Sequence, residues 1–220
     1  RVAQFPMIEV IPSILAKNAQ DFAVLISKIS PYVRRAVIDI GDGEFVPDKI
    51  IGDPEELVRL QTSLRFDVHL MVKDPIMWLG RSWPEQADRF FAHIEALGDR
   101  AGEFIDLTHA QNRRAGLVLN PETPIETIEP YIGKLDFVQF MTVHPGNYGA
   151  PFLPEVLDNI SKFHKSHPNI PIAVDGGINP ETAPLTVKAG AKILVVGSYV
   201  MMSQDPEGSL RKLQNSLMLS

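Results

Sequence analysis

The sequence predicts an α/β fold, a single (β/α)8 barrel of the TIM type, and three observations predict it. Short β-rich runs recur eight times along the chain. A stretch with helix-start signals or helical spacing follows each of them. No G-x-G-x-x-G follows the first run, which removes the best support for the competing fold, a doubly wound open sheet.

The runs cover residues 7–15, 35–40, 66–72, 87–96, 115–120, 135–143, 170–175 and 192–197. Helices are expected over residues 19–30, 54–62, 75–79, 99–113, 124–132, 153–164, 180–189 and 206–217. "DPEE" before Leu57 and "NPET" before Ala183 place Pro and acidic residues where a first helical turn accepts them. Strict alternation of strand and helix implies parallel strands joined by crossover helices. Eight units in this length leave about 27 residues for each, compact but sufficient for a barrel. "SHPNIP" (166–171) reads as a loop, and no linker or low-complexity tract interrupts the chain. Residues 1–220 are therefore expected to form one domain.

Composition narrows the function classes. A hydrophobic content of 45% suits one sizeable core. The net charge of −6 argues against nucleic acid or an anionic membrane as partner. With no cysteine, disulfide scaffolds and thiolate metal sites are excluded. No run approaches the ~18 apolar residues of a spanning helix, and the first four residues carry no signal-peptide pattern. The expectation is a cytoplasmic protein with a small-molecule partner.

Barrels carry their chemistry at the C-terminal ends of the strands. Side chains alternate along a strand, so Val37, Asp39 and Gly41 share one face of "AVIDIGDG", and Asp67, His69 and Met71 share one face of "FDVHLMV". Ser13 comes late in the first strand, Met141 late in the sixth, and Asp175 closes the seventh. One rim then gathers Ser13, Asp39, His69, Met71, Met141 and Asp175. Two carboxylates and an imidazole converging there suit acid–base work or a metal. Taken singly these residues have blander readings. An aspartate at a strand end is commonly a turn residue, as Asp42 is read here, and a lone histidine such as His69 or His93 is commonly structural. Only their joint placement points to function. "VDGGIN" (174–179) and "VVGSYV" (195–200) are Gly-bearing turns leading into helices, and "HPGNYGA" (144–150) is a third. Backbone N–H groups in such turns suit phosphate.

Together these motifs resemble the ribulose-phosphate 3-epimerase family. The matching segments are "IPSILA" (11–16), "IDIGDGEFVPDKIIG" (38–52), "DVHLMVKDP" (67–75), "HIEA" (93–96), "LNPETP" (119–124), "MTVHPGNYGAPFLPEVLDNI" (141–160), "AVDGGIN" (173–179) and "VVGSYV" (195–200). The resemblance implies a homo-oligomeric barrel of the ribulose-phosphate-binding type, interconverting D-ribulose 5-phosphate and D-xylulose 5-phosphate through an enediolate. By position it implies Asp39 and Asp175 as the acid–base pair, and Asp39, His69 and Asp175 as ligands of a divalent metal (Zn, Fe or Mn). It implies Ser13, Met71 and Met141 around the substrate, and Gly146, Gly176, Gly177, Gly197 and Ser198 at its phosphate.

The sequence also departs from the family pattern. Where the family usually reads His-x-Asp-x-Met-Asp-Gly, Val37 holds the ligating His position and Gly41 the Met position. The later loop reads Pro145-Gly146-Asn147-Tyr148-Gly149-Ala150 in place of Pro-Gly-Phe-Gly-Gly-Gln, and His144 replaces a residue that is commonly Asn or Glu. Two alternatives therefore stand beside the epimerase. One is a relative acting on another sugar phosphate. The other is a non-catalytic sugar-phosphate-binding paralogue without a complete metal site.

Overall fold

Eight parallel strands close on themselves in a computed structural model that describes residues 8–50, 54–59, 62–145 and 149–218. The elements in chain order are β1 (Glu9–Ile14), α1 (Ala19–Ile29), β2 (Arg35–Asp42), β3 (Lys49–Ile50), α2 (Glu55–Val58), β4 (Arg65–Met71), α3 (Pro75–Leu79), β5 (Ala87–His93), α4 (Ile94–Leu97), α5 (Ala101–Ala110), β6 (Arg114–Leu119), β7 (Phe137–Met141), α6 (Val156–Ser166), β8 (Ile172–Asp175), α7 (Ala183–Ala189), β9 (Ile193–Val196), α8 (Ser198–Met201) and α9 (Pro206–Met218). Around the barrel the order is β1-β9-β8-β7-β6-β5-β4-β2, and the β1–β2 pairing closes it. The short β3 is added antiparallel to β2.

Period-two patterning builds two cores. Outward residues such as Ile38, Val68, Phe90, Leu117, Val138, Val174 and Leu194 are buried beneath the surrounding helices. Inward residues form a second apolar cluster of Ile11, Val37, Phe91, Val118, Phe137, Ala173 and Ile193. A strand buried on both faces reads as a continuous apolar run, which is what these strands are. Helix entry is set locally. Asn18 accepts from Asp21 N–H at the start of α1, and Asp74 accepts from Met77 N–H at the start of α3, as N-caps do.

All eight expected barrel strands form, and their limits shift where local chemistry intervenes. The run expected over 87–96 ends at His93, because Ile94 already begins α4. The segment expected as a helix over 124–132 is a 3-10 helix, Ile125–Lys134, with Pro130 inside it. Proline has no N–H for an α-helical ladder. The helix expected over 99–113 opens with a 3-10 turn, Gly98–Arg100, and ends at Ala110 before Asn112 at φ 57°. Residue 7 and residues 60–61, within the expected first strand and second helix, lie outside the described residues.

The N-terminal end of the barrel is closed by charge. Arg35 Nη1 lies 2.5 Å from Asp67 Oδ1, and Arg89 Nη1 lies 3.3 Å from Asp67 Oδ2. Arg89 also reaches Glu9 at 3.0 Å, and Arg35 reaches Asp88 at 2.5 Å. The Asp67 side chain is only 4% exposed, so its two guanidinium partners are what make burial tolerable. Removing one member of a buried ionic group strands the others. Asp67→Asn is therefore expected to lower unfolding stability by about 3 kcal/mol, read from the urea midpoint. An unchanged midpoint would show that the cluster is not structural.

Candidate active site

At the opposite end, register places the ionisable residues together. Asp39 on β2 pairs with His69 on β4, and Asp175 on β8 pairs with Met141 on β7. One pocket is lined by Ser13, Asp39, Met71, Met141, Asp175, Gly176, Gly177, Gly197 and Ser198. The structure thus brings together the rim residues expected from the sequence, His69 among them, fully buried against Asp39 and Asp175. Gly146 lies outside the described residues, as do Asn147 and Tyr148.

His69 is the centre of the cluster. Its Nδ1 is 3.1 Å from Asp39 Oδ1 and 3.6 Å from Asp175 Oδ2, and its Nε2 is 2.9 Å from Nε2 of His93. Burial lowers both imidazoles, His69 to about 3 and His93 to about 4, so both rings are neutral. Burial raises both carboxyls. Ser13's hydrogen bond pulls Asp39 partly back, while the charge on Asp39 drives Asp175 further up.

His69, His93 and Glu95 lie in line. His93 Nδ1 faces Glu95 Oε2 at 3.4 Å without a hydrogen bond of good geometry. Burial opposes ionisation of Glu95, but His93 beside it and hydrogen bonds from Thr123 and Asn120 N–H hold its carboxyl below the ordinary value. An ionised carboxylate only accepts, which favours a proton on His93 Nδ1. With His93 Nε2 then accepting, His69 Nε2 donates and His69 Nδ1 turns a lone pair to the two carboxyls. One atom each of Asp39, His69 and Asp175 lies within 4.8 Å of the others. A carboxyl proton relieves that crowding in part. A divalent cation relieves it fully, and the donor set of two carboxylates and one imidazole suits one. The second hydrogen bond orienting the ring is the usual arrangement behind a ligating histidine.

Two departures from the family pattern have physical counterparts. Val37 lies fully buried in the inner apolar cluster, two residues below Asp39 on the same face. At Gly41 a Cβ would come within 2.8 Å of the Asp48 carbonyl and 2.9 Å of Val46 Cγ2. The β2–β3 hairpin therefore fills the space a larger residue would need. Asp42 acts as the expected turn residue, accepting from the N–H groups of Glu44, Phe45 and Lys73.

Sequence reasoning passed over two residues. His93 reads there as structural, yet its Nε2 lies 2.9 Å from Nε2 of His69. Its inward register after Phe91 was the available signal. Gln139 is the polar residue in the inward series Phe137, Gln139, Met141, which was also visible. Gly176 and Gly177 adopt φ of 119° and 64°. A Cβ at Gly176 would collide with Val143, and one at Gly177 would come 2.9 Å from Phe152 Cβ, so both turns require glycine.

The fold and this rim define a TIM-barrel protein with an acid–base cluster beside glycine turns. Solved barrels with the same fold include 3-hexulose-6-phosphate synthase (TM-score 0.65, 16% identity, 96% of this chain and 100% of that one). Another is 3-keto-L-gulonate-6-phosphate decarboxylase from Vibrio cholerae (TM-score 0.69, 12% identity, 98% and 99%). At these identities the likeness is one of fold. Closer kinship comes from sequence. The ribulose-phosphate 3 epimerase family model matches residues 9–201. The chain is 39% identical to ribulose-phosphate 3-epimerase of Bacillus subtilis, over 96% of this chain and 100% of the relative. It is 33% identical to the enzyme of that name from Schizosaccharomyces pombe, over 96% and 94%. It is also 33% identical to a cytoplasmic isoform from Oryza sativa, over 95% and 94%. The chain belongs to the ribulose-phosphate 3-epimerase family.

In metal-free protein, the ¹⁵N shifts of His69 are expected to report the Nε2-protonated tautomer. Glu95→Ala should convert that signal to a mixture of tautomers. An unchanged tautomer in Glu95→Ala would break the proposed chain from Glu95 through His93.

Proposed function

We propose that this chain interconverts D-ribulose 5-phosphate and D-xylulose 5-phosphate at the rim pocket. The observation that carries the reading is the pair Asp39 and Asp175, brought to one pocket from strands three places apart around the barrel. Inverting a carbon centre needs one proton acceptor and one proton donor on its two faces. C3 of a 2-ketose is acidified by the neighbouring carbonyl. One carboxylate takes the C3 proton as the C3–H electrons move into the enediolate. The other, as a carboxylic acid, returns a proton to the opposite face, and the reverse reaction exchanges the roles. Two coupled carboxyls with raised pKa values suit that division, since one is readily protonated while its neighbour is ionised.

Ser13 holds Asp39 through its hydroxyl. Met71 and Met141 supply apolar walls that limit water at the reacting carbon. The backbone N–H groups around Gly176–Gly177 and Gly197–Ser198, with Gly146, are assigned to the phosphate. When a divalent cation (Zn²⁺, Fe²⁺ or Mn²⁺) is held by Asp39, His69 and Asp175, the chemistry it supplies is charge neutralisation at the enediolate oxygens. The reading includes one barrel domain over residues 1–220, a homo-oligomer, and a cytoplasmic location. The last is supported by the name of the rice relative. No helix among the described residues is long and apolar enough to cross a membrane.

Val37 favours a second reading, sugar-phosphate binding without turnover. The test is incubation with ribulose 5-phosphate in deuterated water, with each metal and with EDTA. Xylulose 5-phosphate carrying deuterium at C3 is expected, with EDTA suppressing it. Asp39→Asn and Asp175→Asn should each reduce turnover on the order of 10²–10⁴-fold. Substrate binding without exchange under every metal condition would overturn the epimerase reading in favour of the second, and a different product would point to another sugar phosphate.

A further inference from the structure

We infer that Gln139 completes the cation-binding set, its amide oxygen replacing the ligand that Val37 does not provide. The inference rests on the metal-assisted reading above and deepens it. Gln139 is fully buried in the barrel interior. Its register partners on either side are Val118 and Ala173, so the surroundings at its level are apolar. Its Nε2 lies 3.5 Å from Asp175 Oδ2 and 3.6 Å from Met141 Sδ, both long contacts. Its Oε1 has no hydrogen-bond partner among the described residues. A buried amide oxygen without a partner costs stability and calls for an explanation.

A cation supplies one. The O and N ends of a glutamine amide are interchangeable in shape and are assigned by their surroundings. Turned over, the amide places its oxygen beside Asp175 Oδ2, acceptor against acceptor, and its NH2 group where the unpartnered oxygen stood. That contact becomes favourable when both oxygens share a cation. The level is right as well. Met141 pairs with Asp175, so Gln139 sits one inward step below Asp175. Val37 sits one inward step below Asp39, on β2 at the far side of the ring from β7. An aliphatic side chain cannot ligate, whereas an amide at the corresponding depth can.

The ligand chemistry changes with the exchange. Asp39, Asp175, Gln139 and His69 make a set of three oxygens and one nitrogen. Carboxylate and carbonyl oxygens suit Mn²⁺, while imidazole-rich sets suit Zn²⁺. The site should accordingly favour Mn²⁺ more than a set with a second histidine would.

The experiment titrates metal-stripped protein with MnCl₂ and with ZnCl₂ by calorimetry, in the parent and in Gln139→Leu, Gln139→Glu and Asp39→Asn. Gln139→Leu is expected to lower Mn²⁺ affinity on the order of 10–100-fold, to lower Zn²⁺ affinity less, and to leave metal-free melting unchanged or higher. The Co²⁺-loaded form should show an altered visible spectrum, a signature of changed coordination. Val37→His in the Gln139→Leu background should recover binding with the preference moved toward Zn²⁺. Unchanged Mn²⁺ affinity in Gln139→Leu, with binding abolished in Asp39→Asn, would overturn the role of Gln139 and leave the metal site standing. Equal losses for both metals with a lowered melting temperature would make Gln139 structural and overturn it too. If the parent binds neither ion, the metal reading and this inference fall together. Should Gln139→Leu not fold, Gln139→Glu decides. Tighter Mn²⁺ binding supports the inference and no gain overturns it.

Discussion

Two carboxylates share a water-poor space at the C-terminal rim, and the arrangement around them follows from that constraint. Like charges about 4 Å apart repel by about 4 kcal/mol in a partly shielded protein site. Neither Asp39 nor Asp175 has a lysine or arginine partner among the described residues. What they have is a serine hydroxyl, a neutral imidazole and a glutamine amide. None of these neutralises charge. The site is therefore built to hold a proton on one carboxyl, a cation between them, or both at different stages.

The other end of the same barrel shows the contrast. Asp67 is as deeply buried as Asp39, yet it meets two guanidinium groups, and those groups meet Glu9 and Asp88 in turn. The acidic and basic side chains there are paired with one another, so the cluster braces that end of the barrel. Between the two ends lies the apolar layer of Ile11, Phe91, Val118, Phe137 and Ala173. One strand, β4, contributes to both ends, with Asp67 at the closed one and His69 at the reactive one. The difference between a structural and a chemical carboxylate here is whether its countercharge comes from the chain.

Much of this was legible in the sequence, because barrel strands obey a period of two and the turns after them need particular residues. The face shared by Asp39 and Gly41, the face of His69 and Met71, and the position of Asp175 all follow from alternation. The glycines at 176 and 177 follow from their turn. The rest depended on contacts between distant segments. That His93 touches His69 is a consequence of β4–β5 register, and that Glu95 stands beside His93 depends on α4 starting where a longer strand was expected. The 3-10 form of Ile125–Lys134 is a contest between helical spacing and Pro130 that spacing alone does not resolve. The hairpin strand β3 has only two residues, too few to show a period.

The two departures on β2 carry different physical meanings. Gly41 is not an empty place, since Asp48 and Val46 of the β2–β3 hairpin occupy the space where a side chain would begin. Val37 is likewise well packed in the inner apolar cluster and offers no donor atom. On the proposed metal-assisted reading, the cation set is then completed by another donor or by water. The inner surface holds a polar residue in an otherwise apolar layer, Gln139, and its oxygen is the unpaired one. An apolar residue in that place would pack without a buried, unpartnered oxygen. The amide there is therefore best understood through the carboxylate it touches and the charge that carboxylate is placed to share.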